Sequence, residues 1–153
     1  ALFLAMKTGD EQRQASDAKM LIYDSAREGL YKMTQEIRQS APTRITIAGD
    51  GNSIVFSIPN PATPVTAAYA VDWATGQQIT YAIGGANNNQ ILRTLAGAST
   101  VIAQDVTDVT FTGSSAQPAV VTINLSVQHS TAGGRTMPAA AIQMTGQARV
   151  RNV

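Results

Sequence analysis

The single histidine is the first residue that could do chemistry. His129 follows a segment of alternating apolar and polar residues, 119–128, and the chain has no cysteine. A hydrolytic triad would need a serine and a carboxylate converging on this imidazole, and the sequence has no G-x-S-x-G nucleophile motif. Without thiols, disulfides, thiolate metal sites and a cysteine nucleophile are excluded. A surface histidine at the end of a strand is the simpler interpretation.

Two carboxylates could contribute oxygens to a calcium site, because Asp105 and Asp108 are separated by only two residues. Calcium takes about six to eight oxygen ligands, and no further acidic residues cluster nearby. The segment Gly49-Asp50-Gly51-Asn52 lacks the third glycine and the helix of a dinucleotide fingerprint, so it predicts a hairpin turn instead. We therefore predict no metal, no cofactor and no catalytic residue.

Three other groups have both a functional and a structural interpretation. The run Asn87-Asn88-Asn89 could face a ligand, but asparagines also favour turns. Asn124-Leu125-Ser126 matches a glycosylation acceptor, yet it lies in a predicted strand. Tyr69 and Trp73 could stack on a sugar, or they could share one core face of a strand. None of these groups assigns a reaction, and we predict that the chain is not an enzyme.

Composition excludes further classes of function. The chain has 153 residues, of which 44% are hydrophobic and 14% charged, and its formal charge is +1. This balance gives no electrostatic reason to expect a nucleic-acid partner. The chain is long enough to bury the core of one domain, and no run of about 18 apolar residues predicts a membrane span.

The charges divide the chain into two parts. Residues 1–40 hold 12 of the 21 charged residues, whereas all six prolines and ten of the twelve glycines follow Ser40. We therefore predict an N-terminal helix over 1–40 and a β-rich globular domain over 41–153.

A helical spacing of apolar residues supports the first part. Apolar residues recur every three or four positions from Ala15 to Ile37, and Pro42 ends the pattern. The residues predicted to form the helix–sheet core are Ile22, Ala26, Gly29, Met33 and Ile37. Gly29 costs about 1 kcal/mol relative to alanine in a helix. We expect it to let the helix approach a strand closely.

Forty helical residues would span about 60 Å, which is longer than a domain of this size is wide. One end of the helix should therefore protrude. The apolar residues at that end are expected to pack on neighbouring subunits or on a bilayer: Leu2, Phe3, Leu4 and Met6.

Alternating apolar residues predict strands in the second part. The clearest is 119–128, and a similar pattern covers 142–150. Earlier candidates are 45–48, 53–58, 67–74, 78–83, 91–94, 100–103 and 106–112. The predicted fold class is α+β, with a long N-terminal helix packed on antiparallel β-sheet.

Several segments together resemble a known family. The stretch YDSAREGLYKMTQEIRQS, followed by TRITIAGDGNSIVFSIP, is similar to type IV pilin-like proteins after their helical stem. The later stretches ITYAIGGANNNQILRT, TVIAQDVTDVTFT and AVVTINLSVQ resemble minor pilins and pseudopilins of the J/PilW type. The residues at the positions of that pattern are Tyr81, Leu92, Arg93, Ala103, Val106 and Phe111.

The resemblance implies a pilin-like fold and a structural role in a type II secretion pseudopilus or a type IV pilus, at the filament tip. It implies other pilin or pseudopilin subunits as partners through the N-terminal helix. It also implies anchoring in the bacterial inner membrane through an apolar, methylated segment preceding Ala1, with a periplasmic or extracellular globular domain. The alternative is a β-rich adhesion or ligand-binding module that contacts its ligand through the turns around 84–90 and 131–137.

Overall fold

The computed structural model describes the backbone of residues 2–130 and 136–151, and the side chains of residues 19–130, 136 and 140–151. Within these residues an α-helix, α1 (Leu2–Ile37), and a short 3-10 turn (Pro42–Arg44) precede the strands. The strands are β1 (Ile45–Ile47), β2 (Ser53–Ile58), β3 (Gln77–Gly84), β4 (Gln90–Leu95), β5 (Ala98–Gln104), β6 (Val106–Gly113), β7 (Val120–Ser130) and β8 (Thr136–Arg149).

The strands form two antiparallel sheets in which neighbours in space are also neighbours in sequence. The first sheet has the order β1-β2-β3-β4-β5 and the second the order β6-β7-β8. Asp105 alone connects β5 to β6, and its φ of +57° is unusual for a residue with a side chain. This left-handed residue is where the chain leaves one sheet and enters the other.

One hydrophobic core joins the two sheets and the helix. β2, β3 and β7 contribute alternate residues to it, as in β2, where Ile54, Phe56 and Ile58 are buried between less buried neighbours. The Phe56 and Tyr81 rings stack with their centroids 5.7 Å apart. The alternation of apolar residues in the sequence is therefore the period of burial in these three strands, whereas β4 and β5 each bury a single residue.

The helix lies against β5, β7 and β8, and so contacts both sheets. After Ile37 the chain turns, with Ser40 N–H donating to the Ile37 carbonyl at 3.0 Å. Pro42 then begins the 3-10 turn that leads into β1. In the part of the chain that the structure describes, no helix is both long enough and apolar enough to cross a membrane.

The predicted α+β fold class, with a long N-terminal helix packed on a sheet, is wrong. Among the residues described with their side chains, strand accounts for 50% and helix for 18%, so this part of the chain is mainly β, with two antiparallel sheets. The part of α1 whose side chains are described is short and runs from Lys19 to Ile37. Periodicity identifies single elements, but it reveals neither how strands divide into sheets nor how much of a helix they cover.

Most individual strand predictions are confirmed, including those that correspond to β2, β3 and β7. The strand predicted over 67–74 is wrong, because residues 59–76 form an exposed loop that contains only one isolated bridge, Val65 to Val71. Within 67–74 the backbone leaves the extended region, since Tyr69 has a φ of +60°.

Candidate functional site

A carboxylate at the end of α1 connects the helix to the first sheet. Glu36 accepts two hydrogen bonds from Arg93, from Nε to Oε1 at 2.8 Å and from Nη2 to Oε2 at 2.7 Å. The Tyr81 hydroxyl also donates to Glu36 Oε1. Tyr81 on β3 and Arg93 on β4 are directly opposite each other in the antiparallel register. We name this group the Glu36 clamp.

The three polar side chains of the Glu36 clamp are buried or partly buried between α1 and the first sheet, where the other contacts are apolar. Burial raises the pKa of Tyr81 far above that of an exposed tyrosine, and the hydrogen bond to Glu36 raises it further. The hydrogen bond to Glu36 also raises the pKa of Arg93, with burial opposing this effect. The bidentate geometry fixes the direction as well as the distance between helix and sheet.

The raised pKa of Tyr81 predicts a loss of stability in alkali. Above about pH 10 the tyrosine loses its proton in the unfolded chain, while the folded protein keeps it, so unfolding becomes more favourable as pH rises. We expect this residue to contribute a slope of up to about 1.4 kcal/mol per pH unit above pH 10. Urea denaturation at increasing pH should show a shallower slope for Tyr81→Phe. Equal slopes for the two proteins would contradict the assignment.

The structure places the predicted helix–sheet residues on the covered side of α1. Ile22, Ala26, Met33 and Ile37 are buried. Gly29 lies against β5, where a Cβ atom built on it would be 2.9 Å from both the Ile102 carbonyl oxygen and Ala103 Cβ. Real Cβ atoms do not approach other atoms this closely, so the helix backbone touches β5 at this glycine.

The second sheet approaches the helix through its own glycine. A Cβ atom at Gly146 on β8 would be 2.9 Å from Leu30 Cδ1. At the end of the helix, Arg151 N–H donates to the Arg38 carbonyl at 3.1 Å. The helix is therefore held between β5 on one side and β8 on the other.

The opposite face of α1 exposes large apolar side chains. The exposed fractions are 62% for Met20, 71% for Leu21 and 67% for Tyr31. We name these three residues the apolar helix face. The subunit-packing residues predicted further along, Leu2, Phe3, Leu4 and Met6, lie outside the residues whose side chains are described. Between Leu21 and Tyr31 the same side of the helix also carries exposed charged residues, namely Asp24, Arg27 and Glu28.

His129 does have a carboxylate partner. Its Nδ1 atom is 2.9 Å from Asp105 Oδ1, and 44% of its side chain is exposed. No hydroxyl group among the described residues is hydrogen-bonded to this imidazole, so the pair lacks the nucleophile of a triad. The described residues also contain no group of three histidine or acidic side chains that could hold a metal ion, and Asp108 is exposed. The pair therefore joins β7 to Asp105, the left-handed residue at which the chain passes from the first sheet to the second.

The remaining candidates from the sequence lie in turns, in a loop and in a strand. Gly49–Asn52 connects β1 to β2, with Asn52 N–H donating to Asp50 Oδ1 at 3.0 Å, as predicted for a hairpin turn. The asparagines 87–89 lie in the turn between β3 and β4. Asn124 is in β7, where its Oδ1 accepts from the Thr145 hydroxyl at 2.8 Å.

Tyr69 and Trp73 do not share a strand face. Tyr69 is 93% exposed in the loop 59–76 and has a φ of +60°. The Trp73 ring is covered by the Arg44 guanidinium, 4.5 Å from its centroid. The two rings therefore have separate environments, and the tryptophan fastens the loop to the 3-10 turn.

Glu36 was not identified from the sequence. Tyr81 and Arg93 were identified only as positions in a family pattern, while Glu36 is one of several charged residues on an amphipathic helix. A partly buried acid in the last turn of a helix, where negative charge is unfavourable, is the one signal that could have pointed to it. The described part of α1 is thus docked on both sheets and leaves Met20, Leu21 and Tyr31 exposed. No protein-family model, no curated protein and no solved structure matches the chain.

Proposed function

We propose that the chain is a structural subunit of a bacterial filament, of the minor pilin or pseudopilin kind, which assembles through its N-terminal helix. The apolar helix face carries the proposal. Met20, Leu21 and Tyr31 are each more than half exposed, and they lie on the side of α1 that the sheets leave free. They lie among exposed charged residues of the same helix, Asp24, Arg27 and Glu28, so the free side of α1 offers both apolar and charged contacts to a partner.

The Glu36 clamp supports the same role. A filament subunit must transmit load between its helix and its globular part without letting the helix slide. A bidentate Arg93–Glu36 pair, joined by the Tyr81 hydroxyl, resists such sliding because all three groups lose partners at once. Anchoring in the inner membrane, with the β-sheets outside the cytoplasm, belongs to the same proposal.

The test is assembly of a variant with a polar helix face. The codons for Met20 and Leu21 are changed to glutamate codons in the chromosomal gene of the host. The amount of the protein in sheared filaments should fall by about tenfold or more, because burial of each apolar side chain in a packed contact contributes roughly 1.5–3 kcal/mol. Lys32→Glu is the matched control, since Lys32 is an exposed residue of the same helix. Normal assembly of the double variant would contradict the proposal.

The alternative is an adhesion or ligand-binding module. One observation favours it: the loop 59–76 presents Tyr69 almost fully to solvent. The gene distinguishes the two functions, because codons upstream of Ala1 that encode a leader-peptidase site and a Glu-bearing apolar segment support the filament subunit. A different upstream sequence favours the binding module.

A further inference from the structure

The two sheets have four edge strands, which differ in length and in how far other parts of the chain cover them. β1 is only three residues long. α1 covers the end of β5, where Gln104 N–H donates to Ser25 Oγ at 3.3 Å, and leaves residues 98–101 exposed. On β6, Phe111 N–H donates to the Gly51 carbonyl at 2.8 Å. The long strand β8 is paired with β7 on one side and with no described strand on the other. Such an edge is a template for another strand.

The register shows which backbone groups of β8 face outward. Val150 N–H donates to the Ala119 carbonyl at 2.9 Å, and the ladder then continues through Val121 opposite Ala148. Because hydrogen-bonded residues alternate along an antiparallel pair, the even-numbered residues of β8 bond to β7. The residues whose N–H and C=O groups point away from β7 are Gln143, Thr145, Gln147 and Arg149, and all four side chains are exposed.

We infer that this edge of β8 binds the same edge of a second copy of the chain, antiparallel and about a two-fold axis at Thr145. The regular pairing of β8 with β7 extends from Ile142 to Arg149. Before Ile142 the register shifts, between Val127 and His129 on β7. An axis at Thr145 pairs residues 142–148 of the two copies and stays within this regular stretch. The pairing forms about six new backbone hydrogen bonds, two for each facing pair.

The side chains on both faces of β8 fit this arrangement. On the outer face Thr145 meets Thr145 of the second copy, and Gln143 meets Gln147. Gln143 Oε1 already accepts from Ser126 Oγ at 2.7 Å, which leaves its amide NH₂ group to donate across the seam. Threonine pairs and side-chain hydrogen bonds of this kind stabilise neighbouring strands.

On the inner face each large residue meets a small one. Met144 lies opposite Gly146 of the second copy, and Ile142 lies opposite Ala148. An open groove of about 670 Å³ runs beside this edge, between Met144 and Gly146 on β8 and Tyr31 on α1. It gives the added side chains room on the core side. A shift of the axis to residue 147 would place Gly146 against Ala148 and leave that space unfilled.

The charges also allow the pairing. The seam from 142 to 148 contains no charged residue, and Arg149 lies just beyond it at opposite ends in the two copies. Like charges therefore do not meet. The two-fold axis reverses the direction of α1 as well as β8, so this contact is separate from any parallel packing of helices in a filament and does not depend on the proposed function.

A cysteine cross-link tests the register, because the natural chain has no cysteine that could compete with an introduced one. In Thr145→Cys the two Cα atoms would be about 5.5 Å apart, within the range of a disulfide. In the matched variant Gln147→Cys they would be offset by four residues, or about 13 Å. Mild oxidation should convert Thr145→Cys to a covalent dimer much faster than Gln147→Cys. Equal rates for the two variants would overturn the register.

The molecular mass in solution tests the contact itself. At about 100 μM, where a contact of micromolar affinity is saturated, sedimentation equilibrium should give the mass of a dimer. Thr145→Lys should give a monomer, because it places two positive charges on the axis. Thr112→Lys, which changes an exposed residue on the opposite edge of the same sheet, should remain a dimer. A monomeric wild-type protein, or a dimer that survives Thr145→Lys, would overturn the inference.

Discussion

Replacing Gly29 by leucine should lower the free energy of unfolding by about 1–3 kcal/mol, the usual cost of overpacking a well-packed contact. The cause is the approach of α1 to β5, where a Cβ atom on Gly29 would be 2.9 Å from the Ile102 carbonyl oxygen. A backbone atom in a sheet cannot move aside as the end of a flexible side chain can. The helix must shift instead, and the neighbouring contacts of Ala26 and Met33 shift with it.

The alanine variant gives the sharper test, because helix propensity and packing predict opposite signs. Gly→Ala in an exposed helix stabilises by about 1 kcal/mol, whereas here we expect Gly29→Ala to destabilise. Gly49→Ala is the control, since a Cβ atom added at Gly49 would have no other atom within 4 Å beyond its chain neighbours. Urea denaturation of the three variants measures the effects. A stabilised Gly29→Ala or Gly29→Leu would show that the helix does not contact β5 through this residue.

Removing the carboxylate of the Glu36 clamp should have an effect of similar size. Glu36→Ala leaves Arg93 and the Tyr81 hydroxyl without their shared acceptor in a site that is mostly shielded from water. We expect a loss of about 2–3 kcal/mol, as for other hydrogen bonds to charged groups that lose one partner. Glu28→Ala is the matched control, because Glu28 is an exposed glutamate on the same helix.

A double-mutant cycle separates the pair from the burial of each residue. The variants Glu36→Ala and Arg93→Ala, alone and combined, should give a coupling free energy of more than about 1 kcal/mol. Measurement by chemical denaturation suffices, provided that the slopes of the four transitions agree. A coupling near zero would mean that the two side chains do not act together in solution.

β2, β3 and β7 could be predicted from the sequence because burial in these strands follows a period of two. Residues 119–128 alternate so regularly that β7 is clear without any structure, and the spacing around Gly29 identifies the covered side of α1. These predictions depend on neighbours within one turn or one strand, which the sequence displays directly.

The division into two sheets could not be predicted, because a single residue makes it. The sequence predicts separate strands on either side of Asp105, but no local feature shows that the chain changes sheet there, and only the left-handed backbone of Asp105 marks the change. The Glu36 clamp was hidden for a related reason. Glu36 and Arg93 are 57 residues apart, and no local pattern connects them. Contacts that join distant segments leave no periodic signal.

The position of α1 against β5, β7 and β8 determines the order in which the chain can fold. Each strand of the two sheets pairs with the strand made just before or after it, so the sheets can grow from local hairpins as the chain is synthesised. The helix is synthesised first, yet β8, which completes its binding site, is made roughly a hundred residues later. Until then Ile22, Met33 and Ile37 have no complete cover. The buried side of α1 in a nascent chain of this protein therefore lacks its complete cover until β8 has been synthesised.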